Sequence, residues 1–298
     1  MSLVIQGPTG AGLVLRKDFT WNETVWNPGM IQAALWLDAA DASTITKSGG
    51  AVSQWNDKSG GAYNFAQSSS TLRPLYASET LGGKNVVTFD GIDDNMNAGD
   101  VLDNVWTGSG FNLFFVAKNN DIAAADGVIL AKTSSGSQAL REFASYIRTS
   151  VSQLVTIYTP DASNYTVVNG STTIGNSQWV VVSQSYDDTL GVDGTTANTA
   201  VRVQMTVDGN EQTEVVLASA GNLGQIQDAA GLLSIGAGIG DGAQNTANLD
   251  GAIAELIVTP SVLSVSDRQK IEGYLAHKWG LTANLPADHP YKTAGPTP

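Results

Sequence analysis

The sequence predicts an all-β sandwich carrying one amphipathic helix near its C-terminus. Three observations carry this. Short apolar runs separated by turn residues recur through the middle of the chain. The 32 glycines are scattered without a repeat, and prolines number only 9. A single stretch, after Ser264, switches from two-residue alternation to helical spacing. With 298 residues the chain can bury a full core, in one large domain or two smaller ones.

Residues 1–30 differ in character from the rest of the chain: GPTGAG at 7–12 is turn-rich or extended, and Trp21 and Trp26 are large aromatics in a short segment. They are expected to form a docking arm, packed on its own domain or on a neighbouring subunit. The main domain, 31–298, opens with a strand at Ala34–Asp38. From Ile45 to Tyr76 the chain reads as polar and turn-rich, with Gly49-Gly50 and Gly60-Gly61 as turn signals and Trp55 as an isolated anchor.

Val86–Phe89 reads as a strand entering the loop Asp90-Gly91-Ile92-Asp93-Asp94. In 111–118 both alternating faces are partly apolar, as expected of a central or covered strand. Further strands are expected at 128–131, 143–147, 154–159, 179–185, 232–235 and 253–258. Val201, Val203, Met205 and Val207 alternate with Arg202, Gln204, Thr206 and Asp208, predicting a half-buried strand. Its turn is Asp208-Gly209-Asn210, with 213–217 returning beside it.

Ser264 and Asp267 match an N-cap followed by an N3 acid. A helix over 265–279 is predicted from there, burying Ile271, Tyr274, Leu275 and Trp279 and leaving Arg268, Gln269, Glu272 and His277 outward. Gly280 is placed to end it, with Leu281 beyond.

Composition narrows the function. Only 14% of residues are charged, against about 25% in ordinary domains. The net charge of -13 repels phosphates, and no Lys/Arg cluster offsets it, so nucleic acid is not an expected partner. The same charge favours a cation such as Ca²⁺ or a basic partner. Without cysteine there is no disulfide framework and no thiolate metal site. No run approaches the ~20 apolar residues of a membrane span, so no membrane insertion is expected. Residues 1–8 do not read as a secretory signal.

The segments ALWLDAADAST at 34–44, VSQWNDKSG at 52–60, NVVTFDGIDDNM at 85–96 and VDGN at 207–210 share an order with a long C-terminal block. That block is GAIAELIVTPSVLSVSDRQKIEGYLAHKWGL at 251–281, continued by NLPADHPYK at 284–292. Together they resemble concanavalin A-like lectin/glucanase domains, specifically the laminin-G-like group of bacterial and bacteriophage proteins. The resemblance covers about 32–292 and implies an antiparallel two-sheet jelly roll with the helix beside it. It does not assign activity, because glycan binders, glycosidases and structural modules share this scaffold.

Glycoside hydrolysis needs two carboxylates across the scissile bond. The Glu-x-Asp-x-x-Glu strand of the glucanases with this fold is absent. Glu255 reads as a lone acid, with a surface or paired position favoured, and His277 and His289 lack a companion nucleophile. No enzyme is expected. Asp90, Asp93 and Asp94 are candidates for calcium, against a plain turn in which they accept backbone N–H bonds. Trp55, Tyr63, Trp106 and Tyr186 are candidate sugar platforms, with Asn56 and Asp57 as hydrogen-bonding neighbours, whereas Trp36, Trp179 and Trp279 are expected in the core. The leading expectation is a non-enzymatic structural or adhesive protein of a bacteriophage virion, as capsid decoration or tail appendage. It would contact other virion proteins, self-associate and bind polysaccharide. A secreted carbohydrate-binding module is the alternative, and a divergent glycosidase the third.

Overall fold

Strand Gly110–Asn119 is buried at every position. Its apolar residues on both faces are explained by what covers them. Phe111 packs edge-on against Phe143 of the opposite sheet, with ring centroids 5.3 Å apart, while residues of alternate parity face the C-terminal helix. These relations come from a computed structural model, which describes residues 26–121, 126–134, 141–148, 153–161, 164–190, 202–219, 226–228, 230–240, 243–244 and 247–298.

Two antiparallel sheets pack face to face. In the first, Lys84–Asp90 and Leu35–Asp38 share one edge of the long strand Asp250–Thr259. Gly110–Asn119, Val180–Asp187 and Val203–Val207 continue from its other edge. The second sheet runs Val215–Ser219, Asn164–Asn169, Gln153–Asp161, Arg141–Arg148, Gly127–Thr133, Leu232–Ile235. Two-residue strands at Met96–Asn97 and Phe65–Ala66 extend it to Ala51–Trp55 and Ile45–Ser48. Aromatic rings fill the space between the sheets: Trp106 stacks on Phe143 at 5.4 Å and meets Phe111 edge-on at 4.8 Å. Stacked and edge-to-face pairs of this kind both suit the ring quadrupoles and add to area burial.

The helix spans Val265–Trp279 as predicted, and its caps explain both ends. Ser264 Oγ accepts from the Asp267 amide at 3.2 Å and donates to the Asp267 carboxylate at 2.8 Å. Gly280 ends the helix at φ 74°, a left-handed conformation that glycine adopts without a Cβ clash. Leu281 N–H then donates to the Ala276 carbonyl at 2.8 Å.

Several expectations are corrected. The 45–76 segment is not merely polar loop: it holds the hairpin Ile45–Ser48/Ala51–Trp55, turning at Gly49-Gly50, and the start of strand Leu75–Leu81. Strand Asn164–Asn169 has no clear sequence signal, its few apolar residues being flanked by polar ones. The 203–207 hairpin closes over two residues only, Thr206 with Glu211 and Val207 with Asn210. The chain then crosses over, and Val215–Ser219 pairs with Asn164–Asn169.

The polar face of this strand does not meet solvent throughout, since Arg202, Thr206 and Asp208 are buried and only Gln204 is exposed. Glu272, expected outward, is buried beneath the helix because Ser183 and Thr206 present hydroxyls there, 2.9 and 2.7 Å from its Oε1. The C-terminal segment returns over the same helix. His289 Nε2 lies 3.2 Å from Glu272 Oε2, and its Nδ1 accepts from Tyr291 N–H at 3.2 Å, so the histidine fixes that segment as expected. His277, expected in solvent, is half-buried and donates to the Tyr291 carbonyl at 2.8 Å. Trp36 and Trp279 are in the core as expected, but Trp179 is only partly buried. Trp26 is buried edge-on against Tyr274, 5.7 Å between centroids, whereas Trp21 lies outside the described residues.

Candidate functional site

Glu255, on the strand Asp250–Thr259, is fully enclosed. Trp36 Nε1 donates to Oε1 and Trp279 Nε1 to Oε2, each at 2.7 Å, while Tyr274 Oη donates to Oε1 at 3.0 Å. Lys278 Nζ lies 2.7 Å from Glu255 Oε2 and 2.7 Å from Asp38 Oδ1. Lys58 extends the cluster to Asp38 and Asp41, at 2.9 and 2.8 Å. Burial pushes the Glu255 carboxyl up, and Lys278 and the Trp36 indole pull it back. Both oxygens are met by donors, so this paired acid holds the helix to the sheet and has no face for a substrate.

An open pocket of about 200 Å³ lies at the end of the sandwich where strand Asp250–Thr259 finishes. Ala33 and Ala34, just ahead of the first strand, and Pro260, just beyond the last, form its apolar floor. The loop after the 51–55 strand supplies Ser59, Gly61 and Tyr63, and the short helix Asp103–Trp106 with its approach supplies Leu102, Asn104 and Val105.

Asp57 organises this loop. Its Oδ1 accepts from the amides of Trp36 and Ser59, at 2.9 and 2.8 Å, and its Oδ2 from Ser59 Oγ and the Tyr63 amide, at 2.7 and 3.2 Å. Gly61 lies so close to the Tyr63 ring that a Cβ there would stand 2.4 Å from Cε2. Glycine at 61 thus leaves room for the ring, which packs partly against the core while one part stays open to solvent. The Tyr63 hydroxyl and the Asn104 side-chain amide make no hydrogen bond to the described residues, and both residues line the pocket.

The predicted sugar platforms divide. Tyr63 lines the pocket, Asp57 stands directly behind it, and Asn56 is one residue away, its Oδ1 accepting from Gln54 Nε2 at 2.5 Å. Trp55 and Trp106 are wholly buried, and Tyr186 is enclosed with its hydroxyl 3.2 Å from Asp188 Oδ1. These three present no ring face to a sugar and are core residues, a correction explained by their place between the sheets. Ser59 and Asn104 carry no signal in the sequence, because their convergence depends on loops 45 residues apart meeting at one end of the fold.

Asp90, Asp93 and Asp94 each place a carboxylate oxygen within 4.8 Å of the others. Asp90 Oδ1 already accepts from the Ile92 and Asp93 amides at 2.8 and 3.2 Å, as the plain-turn alternative requires. Burial, together with the Asp90 and Asp93 charges, pushes the Asp94 carboxyl up to about 6. These oxygens suit a hard cation but fall short of the roughly 6 to 8 that calcium takes. Asp90 pairs with Asp250, at the far end of the long strand from the pocket. Ten residues of strand span about 33 Å, so an ion here would not touch a ligand there. A second cluster, Asp100, Asp103 and Asp228, lies nearer the pocket. Lys132 Nζ already occupies its surroundings, 2.7 Å from Asp100 Oδ1, bonded to Asp103 and 3.2 Å from Glu142.

Two antiparallel sheets packed face to face under a covering helix define the fold: a lectin-like jelly-roll sandwich. Among solved structures it is similar to the botulinum neurotoxin serotype D/C binding domain, with TM-score 0.52, 13% identity, and 82% of this chain and 52% of that one covered. A tryptophan-to-alanine mutant of HCR D/C gives 0.51 and 12%, with the same two coverages of 82% and 52%. The CBM40 of Ruminococcus gnavus IT-sialidase, bound to α2,3-sialyllactose, gives 0.43 and 11%, with 64% of this chain and 92% of that one covered. The chain spans about half the length of the neurotoxin structures, and the likeness is one of fold. No protein-family model and no curated protein sequence matches the chain. No described helix is long and apolar enough to cross a membrane.

Proposed function

We propose that this chain is a non-catalytic carbohydrate-binding module whose sugar site is the end pocket at Tyr63. The observation that carries the reading is the pairing of a half-open aromatic ring with uncommitted neutral polar groups, the Tyr63 hydroxyl and the Asn104 amide. A sugar presents an apolar ring face and a fringe of hydroxyls, and needs that combination. The two acids beneath the helix, Glu255 and Glu272, are buried and committed to structural partners, which supports binding over hydrolysis. A glycan array with the whole chain, with and without Ca²⁺, tests this. Binding is expected and is lost in Tyr63→Ala while the fold is retained, and no reducing ends are released. Absence of binding even from a multivalent display overturns the reading.

The finer form of the proposal places the module in the laminin-G-like group, on a bacteriophage particle as capsid decoration or tail appendage, with residues 1–30 as its attachment arm. The burial of Trp26 against Tyr274 favours an arm anchored on the helix side. Self-association would let weak sites act together. Copurification in a particle, lost on deletion of residues 1–25, supports this form, and a freely secreted monomer sinks it.

A further inference from the structure

We infer, resting on the sugar-binding reading just given, that the end pocket selects neutral hexoses and turns away acidic sugars such as sialic and uronic acids. The pocket holds about 200 Å³. An apolar cavity of about 150 Å³ takes one benzene, so this space suits a single six-membered ring. Among the described residues no cationic side chain lines it. The polar groups that converge there, on Ser59, Tyr63 and Asn104, are all neutral.

The charge closest behind them is negative. Asp57 lies 2.7 Å from Ser59 Oγ and accepts the Tyr63 amide at 3.2 Å. The neighbouring cations are spoken for: Lys58 by Asp38 and Asp41 at 2.9 and 2.8 Å, and Lys132 by Asp100, Asp103 and Glu142. A carboxylated sugar would lose hydration on entry and find no counter-charge, beside a fixed carboxylate in a protein of net charge -13. A neutral ring loses only hydroxyl hydration, which an amide and a phenol can replace.

The test compares multivalent lactose and sialyllactose conjugates, and glucose against glucuronate conjugates, on the whole protein at fixed ionic strength. The neutral member of at least one pair is expected to bind tenfold or more tightly than its acidic partner, with little salt dependence. Asn104→Lys, on an exposed position, is expected to narrow that gap by raising acidic binding while neutral binding falls with the loss of the amide. Equal or tighter binding of the acidic members overturns the charge selection while leaving sugar binding intact. No binding to any conjugate removes the sugar reading itself, and with it this inference. Selectivity unchanged in Asn104→Lys shows that the pocket is not where the charge is read, and also overturns the inference.

Discussion

Trp36 Nε1 donates to Glu255 Oε1 at 2.7 Å, joining residues 219 positions apart in sequence. The bond ties the first strand of the domain to the last, and Trp279 completes the same carboxylate from the helix. A one-residue irregularity between Ile253 and Glu255 sets the acid opposite both Asp38 and Val116, on the face the helix covers. WLDAAD and AHKWG are therefore two halves of one buried device.

Glu255→Ala strands two buried indole N–H donors and takes from Lys278 one of the two carboxylates that face it. The expected cost is about 3–5 kcal/mol, read as a lower urea midpoint with an unchanged slope. Glu255→Gln keeps one acceptor and is expected to cost less.

Glu272 gives a pH signature. Burial alone would raise its carboxyl, but His289, Arg268, Thr206 and Ser183 together hold it below the ordinary value of 4.5. The unfolded chain thus binds the proton more readily than the folded one, so the stability from Glu272 is present above pH 4.5 and lost as pH falls through the lower folded value. Glu272→Gln is expected to destabilise by about 3 kcal/mol at pH 7, a difference that shrinks toward pH 3 in denaturant titrations.

Asp94 has the opposite sign. Its carboxyl, raised from 3.8 to about 6, holds a proton more tightly in the folded state, so its contribution to stability declines as pH rises through that window. Asp94→Asn is expected to gain on the order of 1 kcal/mol at pH 7, after allowing for solvent screening, and nothing below pH 3.8. The same pair checks the calcium expectation. Millimolar Ca²⁺ held by this loop raises the thermal midpoint of the parent and not of the variant, and an unmoved parent rules the loop out.

Lys132 is wholly buried beside the buried Glu142, with Asp100 and Asp103 at its outer side. Lys132→Met is expected to cost about 3–5 kcal/mol by leaving Glu142 unneutralised. Adding Glu142→Leu should return more than half of that, giving a coupling energy measurable by a double-mutant cycle.

Elements whose signals are short-range were legible in the chain alone. Ser264, Gly280 and the apolar stripe set the helix at 265–279, and two-sided apolarity marked 111–118 as a covered strand, observed at Gly110–Asn119. Position in the chain could not tell an exposed aromatic from a core one: Trp55 and Tyr63, eight residues apart, end between the sheets and at the pocket. Nor could alternation place Glu272, whose partners Ser183, Thr206 and His289 come from three distant segments. Burial of a polar group is decided by whether the rest of the fold brings it a partner, and the pocket by where loops far apart in sequence meet. Those are relations between elements, and they come into being only when the two sheets and the helix have packed together.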